Sequence, residues 1–515
     1  MRRIELSRVR RGARNRPHDK AAAAPARLGW LDALRGLAAL AVAMHHFGLR
    51  FFIPHGTALT HHFDLGLFGV MLFFLVSGYI VPASLERRGD MQAFWVGRAF
   101  RIYPALIAGF VAALVILPAG HNMLIDRSVF DRPLLSLGAN SMLLQDLLGV
   151  PNAIGIMWSL TYEMVFYYFV SALFVLRKHR QSGPIAVGFA TCAVLLGGVI
   201  APANLAKQGL STENLVLATG LVAAMGLLCA ISGNSQLTRT GALLLGALGV
   251  LLAFGSSRSA LFETMMIFAT MFAGTVIYRA EHGQIDRIQA IAYCGFVFLA
   301  GVLGGRMYNH GDALWRTWTT SWMAWSFAYA GAWIMLILGM ALKKRRFPKA
   351  LTWLGTVSYS VYLLHWLVID GMDWLYGMPW LFQGAPAPKS TKFAIVFTLT
   401  FLAITLAVSY LMYRLVEVPF QKLGRRFLTW LRRHTGGPTD TRGAGAPLPA
   451  QGGAPAAEAV PVPVPAGAAP VPGRATPMPG GFVPAPGGPV AASGRSAPTA
   501  PTAPVGGAPA APEPV

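Results

Sequence analysis

Arg35 and His46 lie eleven positions apart in the first long apolar run of the chain, LDALRGLAALAVAMHHFGLRFFI. Charged side chains are costly inside a bilayer, so ionisable residues in such a run are candidates for function. At about 100° per residue the two share nearly one face of a helix, roughly 16 Å apart along its axis. A permanent cation near one membrane surface would then hold an anionic ligand, while the deeper imidazole meets the far end of that ligand.

The composition indicates which elements must position these residues. Hydrophobic residues make up 54% of the 515 residues and charged residues 12%, and many apolar runs are long enough to cross a bilayer. We therefore predict an all-α polytopic membrane protein, a bundle of about 10–12 transmembrane helices with a disordered C-terminal tail. Segment 240–255 is short and glycine-rich, so a re-entrant segment or a merger with its neighbour is the alternative there. The twelve apolar segments lie near 31–53, 64–84, 101–118, 156–176, 184–203, 213–232, 240–255, 260–278, 288–304, 322–342, 351–371 and 393–417.

The basic connections between these segments predict an orientation. Cytoplasmic loops of membrane proteins carry an excess of Lys and Arg. An N-terminus inside the cell places the basic connections near 85–100, 177–180, 278–287 and 343–349 on the cytoplasmic side, together with the stretch after the last helix. We therefore predict a multi-pass protein of the plasma membrane with both termini in the cytoplasm. Its expected surroundings are the lipid bilayer, and no nucleic-acid partner is expected.

The chain divides into four parts. Residues 1–27 carry nine Arg or Lys against two acids and contain no apolar stretch, which predicts a basic cytoplasmic tail rather than a cleaved signal. Residues 28–420 form the transmembrane domain, and 421–434 form a basic juxtamembrane segment. Residues 435–515 are rich in Pro, Ala and Gly, with too few bulky apolar groups to offset the entropy of ordering, so this tail is predicted to be disordered. No globular domain is expected after the last helix.

Three titratable groups from three segments fall at similar depth in this topology. His46 lies in the outer half of its helix, Glu163 enters from the outside, and His365 lies far from the cytoplasmic end of its own helix. A shared depth favours a joint functional site, although single polar residues in membrane helices also form structural hydrogen-bonded pairs. His45 points about 100° away from His46 and is interpreted as a packing residue.

Two short motifs flank the cytoplasmic end of this arrangement. In FFLVSG, Ser77 and Gly78 permit close approach of another helix. In RAFRIYP, Arg98 and Arg101 are one turn apart at the start of the third segment. These arginines either anchor the helix at the membrane surface or, with Arg35, hold phosphate groups through charge-assisted hydrogen bonds.

Metal and disulfide chemistry are not predicted. The three cysteines fall in apolar runs and show neither paired nor metal-ligand spacing. The histidines at 55–62 occupy a short outer loop without ligand-spaced carboxylates. We therefore predict no metal site.

Six motifs occur in the order and at the helix positions seen in the membrane acyltransferase-3 family, which the chain resembles over about residues 28–420. They are RGLAALAVAMHH, FFLVSG, RAFRIYP, WSLTYE, GTVSYSVYLLHW and VEVPF. The resemblance implies an integral membrane O-acyltransferase. Its donor would be cytoplasmic acyl-CoA, in most cases acetyl-CoA, acting as a co-substrate rather than as a tightly bound cofactor. Its acceptor would be a hydroxyl of a cell-surface carbohydrate or of a glycosylated small product.

The resemblance also implies roles for individual residues. Arg35 and His46 match the family's essential pair, with His46 as the general base, and Arg98 and Arg101 match its donor-binding pair. Glu163 matches the acid of the WSLxxE run, although a second adjacent acid is missing here. Glu163 or Asp32 would orient the base, Asp32 being more suited to pair with Arg35. The candidates for donating to the developing oxyanion, or for contacting the acceptor, are Ser159, Tyr359 and His365.

Two other classes of protein remain as alternatives. A secondary transporter of a carbohydrate or lipid-linked intermediate would also place charges at mid-depth, but would show corresponding broken helices in two repeated halves. No such repeat is visible. A membrane scaffold that binds partners through its Pro-rich tail would give Arg35, His46, Arg98 and Arg101 no function.

Overall fold

A computed structural model describes residues 29–48, 61–116, 126–198, 211–255, 260–310, 319–376 and 390–435. Within these ranges the secondary structure is helical, and no strand is present. The basic tail 1–27 and the Pro-rich tail predicted from residue 435 lie outside the described residues, apart from Thr435. The α-helices are α1 (Gly29–Phe47), α2 (Leu65–Arg88), α3 (Met91–Ile116), α4 (Pro133–Ser141), α5 (Trp158–Val175), α6 (Ser182–Leu196), α7 (Thr212–Ala230), α8 (Ser235–Gly255), α9 (Leu261–Glu281), α10 (Arg287–Tyr308), α11 (Trp322–Ala341), α12 (Lys349–Tyr376), α13 (Thr391–Met412) and α14 (Val418–Thr435).

Each of the twelve predicted segments overlaps one of these helices. Nine helices among the described residues are long and apolar enough to cross a membrane. Of the other three, α6 has 15 residues, while α1 and α12 carry polar groups that lower their mean hydropathy. The uncertain segment 240–255 belongs to α8, a helix of 21 residues, so the re-entrant alternative is wrong. These helices confirm the predicted all-α membrane fold.

Burial distinguishes central from peripheral helices. In α2 and α9, 83% and 89% of the apolar span is buried by other helices. In α7, α10 and α13 the apolar span is 33% buried or less, and side chains such as Leu217, Ile288 and Val396 are exposed by 62–78%. An apolar surface of this extent is unusual for a protein in water and suits contact with lipid tails.

Glycines bring two helix pairs close enough to position the site. A Cβ on Gly78 would lie 1.8 Å from the carbonyl oxygen of Met271, so α2 and α9 cross in direct backbone contact. A Cβ on Gly36 would lie 2.8 Å from the backbone nitrogen of Gly355, where α1 crosses α12. The predicted close approach at Gly78 is thus confirmed. The α1–α12 crossing places the residues after Arg35 beside those after Gly355.

One end of the bundle is basic and tied by ion pairs. We call it the basic face, and it includes the α2–α3, α9–α10 and α11–α12 connections. Arg279, which is fully buried, pairs with Glu86, and Lys343 pairs with Glu281 at 2.6 Å. Helix α14 packs along α3 here, where Arg432 pairs with Asp90 at 2.5 Å.

Candidate active site

Two cations and one carboxylate line a pocket between α1, α2, α3, α5 and α12. We call it the arginine pocket. It encloses about 420 Å³, and its polar lining comes from Arg35, Ser77, Arg101, Glu163, Tyr167 and Tyr359. Arg35 is 7% exposed, and its guanidinium lies 5.8 Å from the centre of the Phe73 ring. A guanidinium that is withdrawn from water needs an anionic or hydrogen-bonding partner.

Neither Arg35 nor Arg101 forms a hydrogen bond or a direct ion pair within the part of the chain that the structure describes, whereas Arg98, Arg279 and Arg432 all do. Arg35 and Asp32 were predicted to pair. They are not in direct contact as an ion pair, but Asp32, buried at the start of α1, is the carboxylate that attracts Arg35 most strongly. The two cations facing one cavity are therefore arranged to bind an anion.

Arg98 differs from the prediction that it holds the donor beside Arg101. Its side chain does not line the arginine pocket. It is 3% exposed and donates to Ser84 Oγ at 3.2 Å and to the Tyr167 hydroxyl at 3.4 Å. Three residues along a helix correspond to a rotation of about 300°, so Arg98 and Arg101 point about 60° apart, enough to give them different neighbours.

Tyr167 links Arg98 to the carboxylate in the pocket. The Arg98 guanidinium lies 4.8 Å from the centre of the Tyr167 ring, and the Tyr167 hydroxyl donates to Glu163 Oε1 at 2.5 Å. Arg98 thus orients Tyr167, and Tyr167 orients Glu163. Sequence reasoning missed Tyr167, although its position one helical turn after Glu163 was a usable signal.

A second cavity continues from the arginine pocket. We call it the apolar passage. It encloses about 430 Å³ and shares Phe73, Glu163 and Tyr359 with the arginine pocket. Most of its walls are aliphatic or aromatic, with Ser159 and Tyr362 as further polar groups. Val42, one turn before His46, also lines it. The passage therefore leads from the cations toward the histidine end of α1.

His46 and His365 form a hydrogen-bonded pair beyond this passage. His46 Nδ1 lies 3.0 Å from His365 Nε2, and the rings stack with centres 5.1 Å apart. His365 Nδ1 lies 3.1 Å from the Val361 carbonyl oxygen. Because a carbonyl only accepts, His365 carries its proton on Nδ1, and its Nε2 accepts from His46 Nδ1–H. The neutral pair leaves His46 Nε2 with a lone pair, as a general base requires.

The three groups predicted at similar depth separate into two sites. His46 and His365 meet directly, while Glu163 lines the arginine pocket and the adjoining end of the passage. His365 is fully buried and uses both ring nitrogens within the protein. It therefore has no proton free for an oxyanion, which corrects that predicted role.

The other predicted oxyanion donors also hold hydrogen bonds within the protein. The Tyr359 hydroxyl donates to a backbone carbonyl of α3 at 2.9 Å. Ser159 Oγ lies 2.6 Å from the Tyr362 hydroxyl, and the two hydroxyls lie 3.3 Å and 3.1 Å from the Ile156 carbonyl oxygen, so two protons are shared among these contacts. Sequence reasoning missed Tyr362, whose ring approaches that of His365 with centres 6.1 Å apart. Ser159 and Tyr362 thus lie together on the wall of the passage.

His45 lies on another face of α1, as predicted, and its ring meets that of His46 only edge to face, with centres 5.1 Å apart. Its Nδ1 lies 3.5 Å from Asp64 Oδ1, and its side chain is 38% exposed. Asp64 in turn caps α2 by accepting from the Leu67 amide at 2.7 Å. His45 therefore connects the end of α1 to the start of α2.

The family model Acyl_transf_3, described as an acyltransferase domain, matches residues 28–414. The chain belongs to this family. The Arg35 to His46 stripe, Arg98 and Arg101, Glu163 and the histidine of α12 all fall within the matched range. No solved structure matches the chain.

Relatives of this Acyl_transf_3 member share parts of it. "Acyltransferase MdmB" of Streptomyces mycarofaciens is 36% identical over 27% of this chain and 38% of its own length. "Nodulation protein 10" of Rhizobium leguminosarum bv. viciae is 30% identical over 31% of this chain and 48% of its own length. "Exopolysaccharide production protein ExoZ" of Rhizobium meliloti is 31% identical, over 27% and 44% respectively. The chain thus spans less than half the length of these relatives.

Proposed function

We propose that this protein transfers an acyl group, acetyl in the first instance, from acyl-CoA to a hydroxyl of a carbohydrate. The observation that carries the proposal is an anion-binding pocket that continues into an apolar passage along α1, with Val42 of its wall one turn before His46. Family membership supports acyl transfer. The names of two relatives, an acyltransferase and an exopolysaccharide production protein, support acyl transfer and a carbohydrate acceptor.

The donor would bind with its phosphates at Arg35 and Arg101. Guanidinium groups suit phosphates because they are permanently charged and donate two parallel hydrogen bonds. The acyl-carrying arm would extend along the apolar passage toward His46, which lies roughly 16 Å from Arg35 along α1. With the basic face in the cytoplasm, the donor would enter from the side on which acyl-CoA is made.

The transfer would take place at the histidine pair. His46 Nε2 removes the proton from the acceptor hydroxyl as its oxygen attacks the thioester carbonyl. A carbon–oxygen bond forms, the carbon–sulfur bond breaks, and the proton held by His46 passes to the departing thiolate. Ser159 or Tyr362 would donate a hydrogen bond to the oxyanion formed in between, in exchange for its bond to the Ile156 carbonyl oxygen. His365 would hold the tautomer of His46 and offset part of the charge that develops on it.

Radiolabelled acetyl-CoA tests this proposal with the full chain in detergent or nanodiscs. We expect label to pass to one member of a panel of oligosaccharides and glycosylated macrolides, with release of one thiol per transfer. His46→Ala should reduce transfer by roughly 10²-fold or more, the usual contribution of a general base. His45→Ala, its neighbour on another helical face, is the matched control and should retain most activity.

Two outcomes would contradict the proposal. Equal losses in the His45 and His46 variants, measured per folded molecule, would show that His46 is not the base. Binding of the panel sugars without any thiol release would instead indicate the transporter alternative.

A further inference from the structure

Glu417 is a buried carboxylate that the proposed reaction does not use. It is 4% exposed and ends the π turn Tyr413–Glu417, which joins α13 to α14. Its Oε1 accepts a hydrogen bond from Ser360 Oγ at 2.5 Å. Single π turns within helices occur frequently at functional sites. A carboxylate in such low-dielectric surroundings also requires a nearby positive charge.

The positive charges near Glu417 are those of the arginine pocket. Glu417 is attracted electrostatically to Arg101 and to Arg35, although neither guanidinium forms an ion pair with it among the described residues. The π turn packs against α3, which carries Arg101. Ser360 follows Tyr359, a residue of the pocket wall. Glu417 itself does not line the pocket, so a ligand in the pocket would not contact it directly.

This placement gives the two arginines a counter-charge that a ligand cannot displace. Arg35 and Arg101 repel each other, and Asp32 and Glu163 attract Arg35 more strongly than Glu417 does. Glu417 attracts both arginines and so reduces their repulsion while the pocket is empty. When an anion enters, the same carboxylate repels it, because charges interact strongly where water is excluded. The attraction that the arginines offer to a phosphate is therefore smaller than their two charges alone would give.

We propose that Glu417 limits the affinity of the arginine pocket for phosphate-bearing ligands and so speeds the release of coenzyme A after transfer. The inference rests on the proposed function, because it takes acyl-CoA as the donor. Coenzyme A carries the same phosphates as acyl-CoA, and tight binding of both would slow turnover without aiding the chemical step. Glu417 is thus a positioning residue that acts through Arg35 and Arg101.

Glu417→Gln tests the charge with little change of volume, since the amide oxygen still accepts from Ser360. We expect the Kd of coenzyme A, measured by calorimetry on the full chain, to fall roughly tenfold. The Kd of inorganic pyrophosphate should fall in parallel. With saturating donor, kcat should decrease together with KM because release becomes slower. A purely structural role would instead raise KM or lower the yield of folded protein.

Ser360→Ala is the matched control, since it removes the hydrogen bond and leaves the charge. It should keep the Kd of coenzyme A within about twofold of wild type, since one hydrogen bond is lost while the carboxylate charge remains. An unchanged or weaker affinity in Glu417→Gln, or the same shift in both variants, would overturn the inference and leave the proposed function intact. Wild-type protein that binds neither coenzyme A nor pyrophosphate would refute the donor proposal and this inference together.

Discussion

At the scale of single residues, the contact between His46 and His365 fixes the tautomer of His46, which an isolated imidazole would not do. An isolated imidazole interconverts between two tautomers, and only the one with a free nitrogen facing the acceptor works as a base. Here the Val361 carbonyl fixes His365, and His365 fixes His46. The partner of the base is thus a neutral imidazole, where many hydrolases use a carboxylate.

Substitutions at His365 test whether it fixes the tautomer of His46. His365→Gln keeps an oxygen that accepts from His46 Nδ1–H, so we expect kcat to stay within about threefold of wild type. His365→Leu removes the acceptor, and kcat should fall roughly 10- to 100-fold while the KM for the donor stays unchanged. Nitrogen NMR shifts of the His46 ring would report its tautomer directly. Equal kcat values in the two variants would mean that His365 only packs against His46.

At the scale of secondary structure, two arginines one turn apart on helix α3 have different partners and therefore different roles. Arg101 faces the pocket, while Arg98 is held against Ser84 and Tyr167. The same residue type therefore acts once as a candidate ligand contact and once as a support for the carboxylate. The difference follows from the helices packed on each side of α3.

Alanine substitutions should separate these two tasks. Arg101→Ala should raise the KM for acyl-CoA by roughly 10-fold or more with little loss of kcat, because a charge-assisted contact to phosphate is lost. Arg98→Ala should mainly lower kcat, because Tyr167 and Glu163 lose their support. Steady-state kinetics on both variants would distinguish these effects. Similar increases of the KM for acyl-CoA in the two variants would show instead that Arg98 also contacts the donor.

At the scale of the whole molecule, charge at one end of the bundle predicts its orientation. Lys344 is exposed in the α11–α12 connection at the basic face, and Asp131 is exposed between α3 and α5 at the opposite end. Basic connections favour the cytoplasm, so we expect the arginine pocket to be reached from the cytoplasm. Helix α14 agrees with this placement: Phe420, Leu423, Phe427 and Trp430 form one exposed apolar stripe along an otherwise basic helix, as expected at a membrane surface.

Labelling with a membrane-impermeant maleimide tests the orientation in intact cells. Asp131→Cys should react at once, whereas Lys344→Cys should react only after the membrane is permeabilised. Wild-type protein, with its three native cysteines, gives the background. Reaction of Lys344→Cys in sealed cells would invert the topology and place the arginine pocket on the wrong side for a cytoplasmic donor.

The sequence alone determined the features that depend on neighbouring residues. Twelve apolar segments predicted a bundle of about 10–12 transmembrane helices because length and hydropathy are local properties. The spacing of Arg35 and His46 placed both on one stripe because the helical repeat is fixed. The glycine of FFLVSG indicated a close helix contact, which the α2–α9 crossing confirms.

Only the tertiary structure decided which groups meet. His46 and His365 are 319 positions apart, and no periodicity within either helix specifies their contact. The helices packed around α3 gave Arg98 and Arg101 different neighbours. The orientation of α5 in the bundle placed Glu163 beside the arginine pocket and not beside the histidines. Glu417 meets its partners only because the π turn packs against α3 and accepts a hydrogen bond from Ser360 of α12. A helix fixes the direction of each side chain about its own axis, but packing between helices fixes what that side chain faces.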